Sequence, residues 1–77
     1  MTTTVKVTFS EVPTSAQISV METWISPYIA AGNTQSFPIA SPGNATIRRV
    51  WDSVENAQAF IAKVNEIYPT AVAAEIV

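Results

Sequence analysis

The chain has 77 residues, a length that supports one hydrophobic core and therefore a single domain over residues 1–77. It contains no cysteine and no histidine, which excludes disulfides, thiolate nucleophiles, haem attachment and the usual zinc sites. Four basic and six acidic residues give a net charge of -2 at pH 7 without any run of like charge, which argues against nonspecific nucleic-acid binding.

The chain begins with a predicted strand followed by a helix. Val5, Val7 and Phe9 alternate with polar residues, so we expect strand 1 over residues 3–10, with one buried face. Helix 1 is predicted after the start residues 13–15, because apolar residues recur at spacings of three and four: Ile18, Met21, Trp24, Ile25 and Tyr28. Pro27 predicts that this helix kinks or ends near residue 26, and at the latest by residues 30–33.

A hairpin and a second helix are predicted next. Strand 2, Gln35 to Ala40, is assigned to a sheet edge because Pro38 lacks an amide donor, and a tight turn at 41–44 connects it to strand 3 at 45–51. Asp52 is expected to cap helix 2, with Glu55 completing a capping box. The helix has the strongest apolar stripe of the chain: Ala57, Phe60, Ile61, Val64, and Ile67 or Tyr68.

Pro69 ends helix 2, and residues 71–77 predict strand 4. The element order is then strand, helix, strand, strand, helix, strand. With right-handed crossovers, this order predicts an α+β fold of the ferredoxin-like βαββαβ type. The expected architecture is a sandwich of an antiparallel four-stranded sheet, in the order 4-1-3-2, with two helices on one face.

Two adjacent arginines, Arg48 and Arg49, lie within predicted strand 3. Successive strand residues point to opposite faces, so a regular strand would bring one of the two into the core, and an unpaired buried charge is strongly destabilising. A β-bulge near the pair would leave both arginines outward. Otherwise one guanidinium reaches the rim or pairs with a carboxylate such as Glu22.

The open sheet face is predicted to carry Lys6 between an arginine and Glu75. Opposite charges on neighbouring strands contribute about 0.2–1 kcal/mol without any ligand. The cluster would then serve sheet register or a dimer contact, or it would form an anion or small-ligand site. The candidate ligand or interface residues are Lys6, Arg48, Arg49, Trp51 and Glu75.

No catalytic residue, metal ligand or cofactor is predicted. The chain has no nucleophile elbow and no Ser-x-x-Lys pair, and with two glycines it has no phosphate-binding loop. The RNA-recognition fold has the same order of elements, but the aromatic residues that stack on bases are missing from strands 1 and 3, so no nucleic-acid partner is expected. An enzyme is not favoured.

The segment 49–55, followed by Ala57 and Phe60, resembles the strand-to-helix junction of dimeric α/β-barrel proteins. This ferredoxin-like group includes the antibiotic-biosynthesis monooxygenase-like families. The resemblance implies a homodimer whose sheets pack through small and apolar open-face residues: Ala71, Ala73 and Val77. It transfers no catalytic residue, since active members often carry a cavity histidine. In size and chemistry the chain also resembles small uncharacterised proteins of phage and marine bacterial genomes.

Two main functions are predicted. The first is a noncatalytic homodimeric module that acts through protein contacts in assembly or regulation, because 48% hydrophobic and 13% charged residues favour a buried interface. The second is a small-molecule-binding or monooxygenase-like protein with a cavity between sheet and helices, near Trp24, Phe37 and Trp51. A third is a regulatory amino-acid-binding domain. The N-terminus has no signal-peptide pattern and no apolar run is long enough to span a membrane, so a cytoplasmic location is expected.

Overall fold

An antiparallel sheet covered by two helices forms the fold. The computed structural model describes residues 2–36, 39–40 and 45–77. The elements found there are, in chain order, β1 (Thr3–Phe9), α1 (Ser15–Ala30), β2 (Ile39–Ala40), β3 (Thr46–Trp51), α2 (Val54–Ile67) and β4 (Ala71–Ile76). β1 runs between β3 and β4, and the two-residue β2 pairs with the outer edge of β3. The protein is therefore a small α+β structure.

The predicted ferredoxin-like sandwich with four full strands is wrong. Within the described residues, only β1, β3 and β4 reach six or seven residues, and they form the sheet in the order β3-β1-β4. The predicted six-residue second strand contributes only the two-residue pairing of β2 with β3. Phe37, Pro38 and the predicted turn at 41–44 lie outside the described residues.

Side chains form hydrogen bonds that a longer second strand would otherwise make. The hydroxyl of Thr34 donates to the carbonyl of Val50 over 2.7 Å, and Arg49 Nη1 donates to the carbonyl of Gln35 over 2.7 Å. Thr34 itself forms only an isolated bridge with Trp51. These side-chain bonds and the bridge connect residues 34 and 35 to β3.

The core lies between the sheet and the two helices, and its main contributors agree with the predicted apolar faces. The inward residues of β1 and the stripe of α2 are buried, as their periodicities predicted. Two residues of α1 and the last residue of β3 complete this cluster. Its members are Val5, Val7, Phe9, Met21, Ile25, Trp51, Ala57, Phe60, Val64 and Tyr68.

Helix α1 begins where its sequence predicts but continues through its proline. Thr14 is the N-cap: its hydroxyl accepts from the Gln17 amide, and the Gln17 side chain accepts from the Thr14 amide, which completes a capping box. The helix does not end near residue 26; it extends to Ala30, within the latest predicted end at residues 30–33. Pro27 lies in the last turn of the helix and lacks an amide donor of its own. Its carbonyl still accepts a hydrogen bond from the Ala31 amide.

The N-cap of α2 is Ser53 and not the predicted Asp52. The Ser53 hydroxyl accepts from the amide of Asn56. The Asp52 carboxylate accepts instead from the Asn56 side chain over 2.9 Å and from the Asn33 side chain over 2.7 Å. These hydrogen bonds hold the pKa of Asp52 below its ordinary value, and the bond from Asn56 has the largest effect. Asp52 therefore ties the loop after α1 to the start of α2.

The two helices differ in how closely they approach the sheet. Cα atoms of α2 come within 8 Å of Cα atoms in β1, β3 and β4. Among the described helices and strands, α1 comes this close only to α2. α2 therefore packs directly on the sheet. α1 covers the remaining part of the inner sheet face from farther away, which leaves space beneath it.

Candidate ligand-binding site

Arg48 and Arg49 lie on opposite faces of the sheet. β3 pairs with β1 in unbroken register, with Arg48 opposite Lys6 and Arg49 opposite Val5. Since Val5 is fully buried on the helix side, Arg49 also points toward the helices, and only 6% of its surface is exposed. Arg48 is exposed on the open face. The bulge predicted near these arginines is absent from β3.

The irregularity of the sheet lies in β4 instead. Thr8 pairs with Ala73 and Phe9 pairs with Ala71, so Val72 is the extra residue of a bulge. Ala71 therefore shares the helix side with Phe9 and packs against the core. The prediction that Ala71 lies on the open face is wrong. The extra residue of the bulge places Ala71 and Ala73 on opposite faces of the sheet.

The guanidinium of Arg49 is held without a carboxylate. Its Nη1 donates to the Gln35 carbonyl, and its Cζ lies 6.0 Å from the ring centroid of Phe60. The predicted partner Glu22 forms no ion pair with it; among the described residues the only ion pair within 4.0 Å joins Lys63 and Glu66. Burial lowers the pKa of Arg49, an effect that Tyr68 opposes. Arginine side chains are not deprotonated in proteins, so Arg49 is a buried cation.

A cavity of about 600 Å³ lies where α1 stands away from the sheet. Its lining is mostly apolar and comes from α1, from the inward residues of β1 and β3, and from α2. The principal apolar residues are Phe9, Ile18, Met21, Ile25, Ile29, Ile47 and Phe60. The cavity is partly open to solvent.

Few polar groups face this cavity. Arg49 and Tyr68 are its buried polar residues, whereas Glu22, Ser26 and Ser36 are exposed at its margin. Burial raises the pKa of the Tyr68 phenol, and the nearby positive charge of Arg49 partly opposes this rise. The deep part of the site therefore combines one cation and one neutral phenol with apolar walls.

Two of the three predicted cavity residues, Trp24 and Trp51, are not among the described residues that line the cavity. Trp24 and Trp51 lie beyond the lining in an aromatic cluster: the Trp51 ring centroid is 6.4 Å from Trp24, 5.4 Å from Tyr28 and 5.3 Å from Phe60. Phe37, the third predicted residue, lies outside the described residues. Sequence reasoning missed Tyr68 as a site residue, although it lies on the apolar stripe of α2 with a polar hydroxyl.

The remaining candidates meet on the open sheet face. Lys6 lies opposite Arg48 on one side and Glu75 on the other, as expected from the topology. No pair among them comes within ion-pair distance, 4.0 Å, in the described residues. Threonines occupy the neighbouring positions of β1 and β3, at Thr4, Thr8 and Thr46. The described part of this face thus carries charged residues and threonines.

The fold and the cavity together describe a small α+β protein with an apolar cleft and one buried cation. Comparisons of the chain with protein-family models, with curated proteins and with solved structures find no match. The described residues contain no group of three or more histidine, cysteine, aspartate or glutamate side chains that could hold a metal ion. No helix among them has the length and apolar character needed to cross a membrane.

Proposed function

We propose that the protein binds a small, largely apolar molecule in the cavity between α1 and the sheet. The observation that carries this proposal is the cavity itself, about 600 Å³ in volume with mostly apolar walls. Small-molecule sites have volumes of about 300–1,000 Å³, with apolar walls and a few convergent polar groups. The cavity fits this description in size and in chemistry.

Among the described residues, a space of this size is unusual for a close-packed core. Protein interiors are close-packed, and voids larger than a water molecule are few. Here the space coincides with the larger distance of α1 from the sheet, and it contains a buried arginine that a purely structural core avoids. Both features support a site that a ligand fills.

The other predicted functions have less support. The homodimeric accessory module stays a prediction, and the open face on which it depends carries the threonines and charges of β1, β3 and β4. Monooxygenase-like chemistry also stays a prediction, as does the resemblance to dimeric ferredoxin-like proteins. We favour ligand binding because a specific feature of the fold carries it.

A tryptophan placed at the cavity margin tests this proposal. N-phenyl-1-naphthylamine, a neutral dye that fluoresces in apolar surroundings, is titrated into the wild-type protein, into Ser26→Trp and into Ser19→Trp. Both serines are exposed residues of α1, but only Ser26 lines the cavity. We expect saturable binding to wild type, weakening of about tenfold or more by Ser26→Trp, and little change with Ser19→Trp.

Two outcomes would contradict the proposal. A wild-type protein that gives no saturable fluorescence increase has no accessible apolar site for this dye. Equal binding by Ser26→Trp and Ser19→Trp would place the dye elsewhere on the surface. Circular dichroism of both variants checks that helix content is unchanged.

A further inference from the structure

We infer that the ligand is a monocarboxylic acid with an apolar body, and that Arg49 binds its carboxylate. This inference rests on the proposed function, because it specifies the ligand of the same cavity. It starts from the position of Arg49, which is nine-tenths buried on the helix side of β3 and lines the cavity. A carboxylate is the group whose shape and charge match a guanidinium.

Arg49 is oriented before any ligand arrives. The regular pairing of Arg49 with Val5 directs its side chain inward, and the bond from Nη1 to the Gln35 carbonyl fixes one end of the guanidinium. A guanidinium has five N–H donors, and the described residues give it this one hydrogen bond. In the proposed complex, a carboxylate accepts two parallel hydrogen bonds from other donors of the Arg49 guanidinium.

The balance of charge at the site favours an anion. Arg49 is the only basic residue among the described residues that line the cavity, and it is buried, where its field is weakly screened. Glu22 is the only acidic one, and it is exposed at the margin, where water screens it. A ligand anion beside Arg49 offsets the cost of burying the guanidinium, while Glu22 disfavours a second negative charge nearby.

The rest of the lining restricts the remainder of the ligand. Beyond Arg49 the walls are aromatic and aliphatic, from Phe9, Met21, Ile25 and Phe60 among others. A nucleotide or sugar phosphate would leave many polar groups unpaired against such walls. An aliphatic or aromatic monoacid instead places one charge at the guanidinium and its apolar body against the walls.

Decanoate and decanol, which have the same chain length, test the inference. Each is titrated at pH 7 by displacement of the neutral dye from the wild-type protein. We expect decanoate to bind about 10- to 100-fold more tightly than decanol, the range that charge-assisted hydrogen bonds supply. Shortening the acid to octanoate should weaken binding about fourfold for each methylene removed.

The adjacent arginine provides a matched control. Arg49→Met is expected to remove the preference for the acid while keeping affinity for decanol and for the dye. Arg48→Met removes the same charge from the opposite face of the same strand, so the preference should persist. Glu22→Gln should strengthen decanoate binding and leave decanol unchanged, because it removes a negative charge from the cavity margin.

The outcomes separate this inference from the proposed function. If the dye and decanol bind in the cavity but decanoate binds no better than decanol, the carboxylate inference is wrong and the apolar site stands. If neither the dye nor decanol binds, both proposals fail. The wild-type ratio of decanoate to decanol decides the inference even where Arg49→Met does not fold. The inference would also be overturned if Arg48→Met removed the preference for decanoate over decanol and Arg49→Met kept it.

Discussion

Trp51→Ala is expected to lower the free energy of unfolding by about 3–5 kcal/mol, the usual cost of removing a buried tryptophan. Trp51 is fully buried at the end of β3, and its ring lies among Trp24, Tyr28 and Phe60. Small domains are stable by about 5–15 kcal/mol, so this loss removes much of the total. The variant should be partly or largely unfolded near 37 °C.

Urea unfolding followed by circular dichroism measures this effect. Trp24→Ala is the control, because Trp24 is only partly buried and should cost less. Trp51→Phe should also cost less than Trp51→Ala: it keeps most of the ring area and removes an indole N–H that has no partner among the described residues. A Trp51→Ala variant within about 1 kcal/mol of wild type would contradict the packing described for β3 and α2.

Phe60→Ala is expected to cost about 3–5 kcal/mol as well, whereas Ile18→Ala should change stability by less than about 1 kcal/mol. Phe60 is on α2, 1% exposed, and its ring centroid is 5.3 Å from that of Trp51. Ile18 is on α1, 39% exposed, and borders the cavity. The contrast follows from the exposure of the two residues, since Phe60 lies in the core and Ile18 lies at the edge of the cavity.

The same urea experiment tests this contrast between the helices. A large loss of stability in Ile18→Ala, comparable to that of Phe60→Ala, would mean that α1 packs tightly and that the space beneath it is filled. A small loss in Phe60→Ala would mean that α2 does not carry the core. Either result would contradict the asymmetry on which the cavity depends.

The buried faces of β1 and α2 were predictable from local periodicity. Alternation identified Val5, Val7 and Phe9, and the 3.6-residue period identified Phe60 and its neighbours on α2. Such patterns work because each of these elements has one face toward the core and the other toward solvent. The positions of Lys6 and Glu75 on one face, beside an arginine, followed from the same alternation and from strand order, but the choice of Arg48 over Arg49 did not.

The site was harder to predict because it depends on contacts between distant parts of the chain. The burial of Arg49 becomes possible through the Gln35 carbonyl, 14 positions away, and through a cavity that no local pattern encodes. Asp52, the predicted cap of α2, instead accepts a hydrogen bond from Asn33, 19 positions away, a contact that no local pattern indicates.

NMR tests most directly whether the cavity is the ligand site. The side-chain Nε–H signals of the arginines are followed while decanoate is added to the ¹⁵N-labelled protein. We predict that the Arg49 signal shifts with saturation, together with backbone amides of α1 around Met21, Ile25 and Ile29, while the Arg48 signal and the amides near Glu75 stay unchanged. Shifts confined to Arg48 and the open face, with Arg49 unaffected, would contradict the assignment of the cavity as the ligand site.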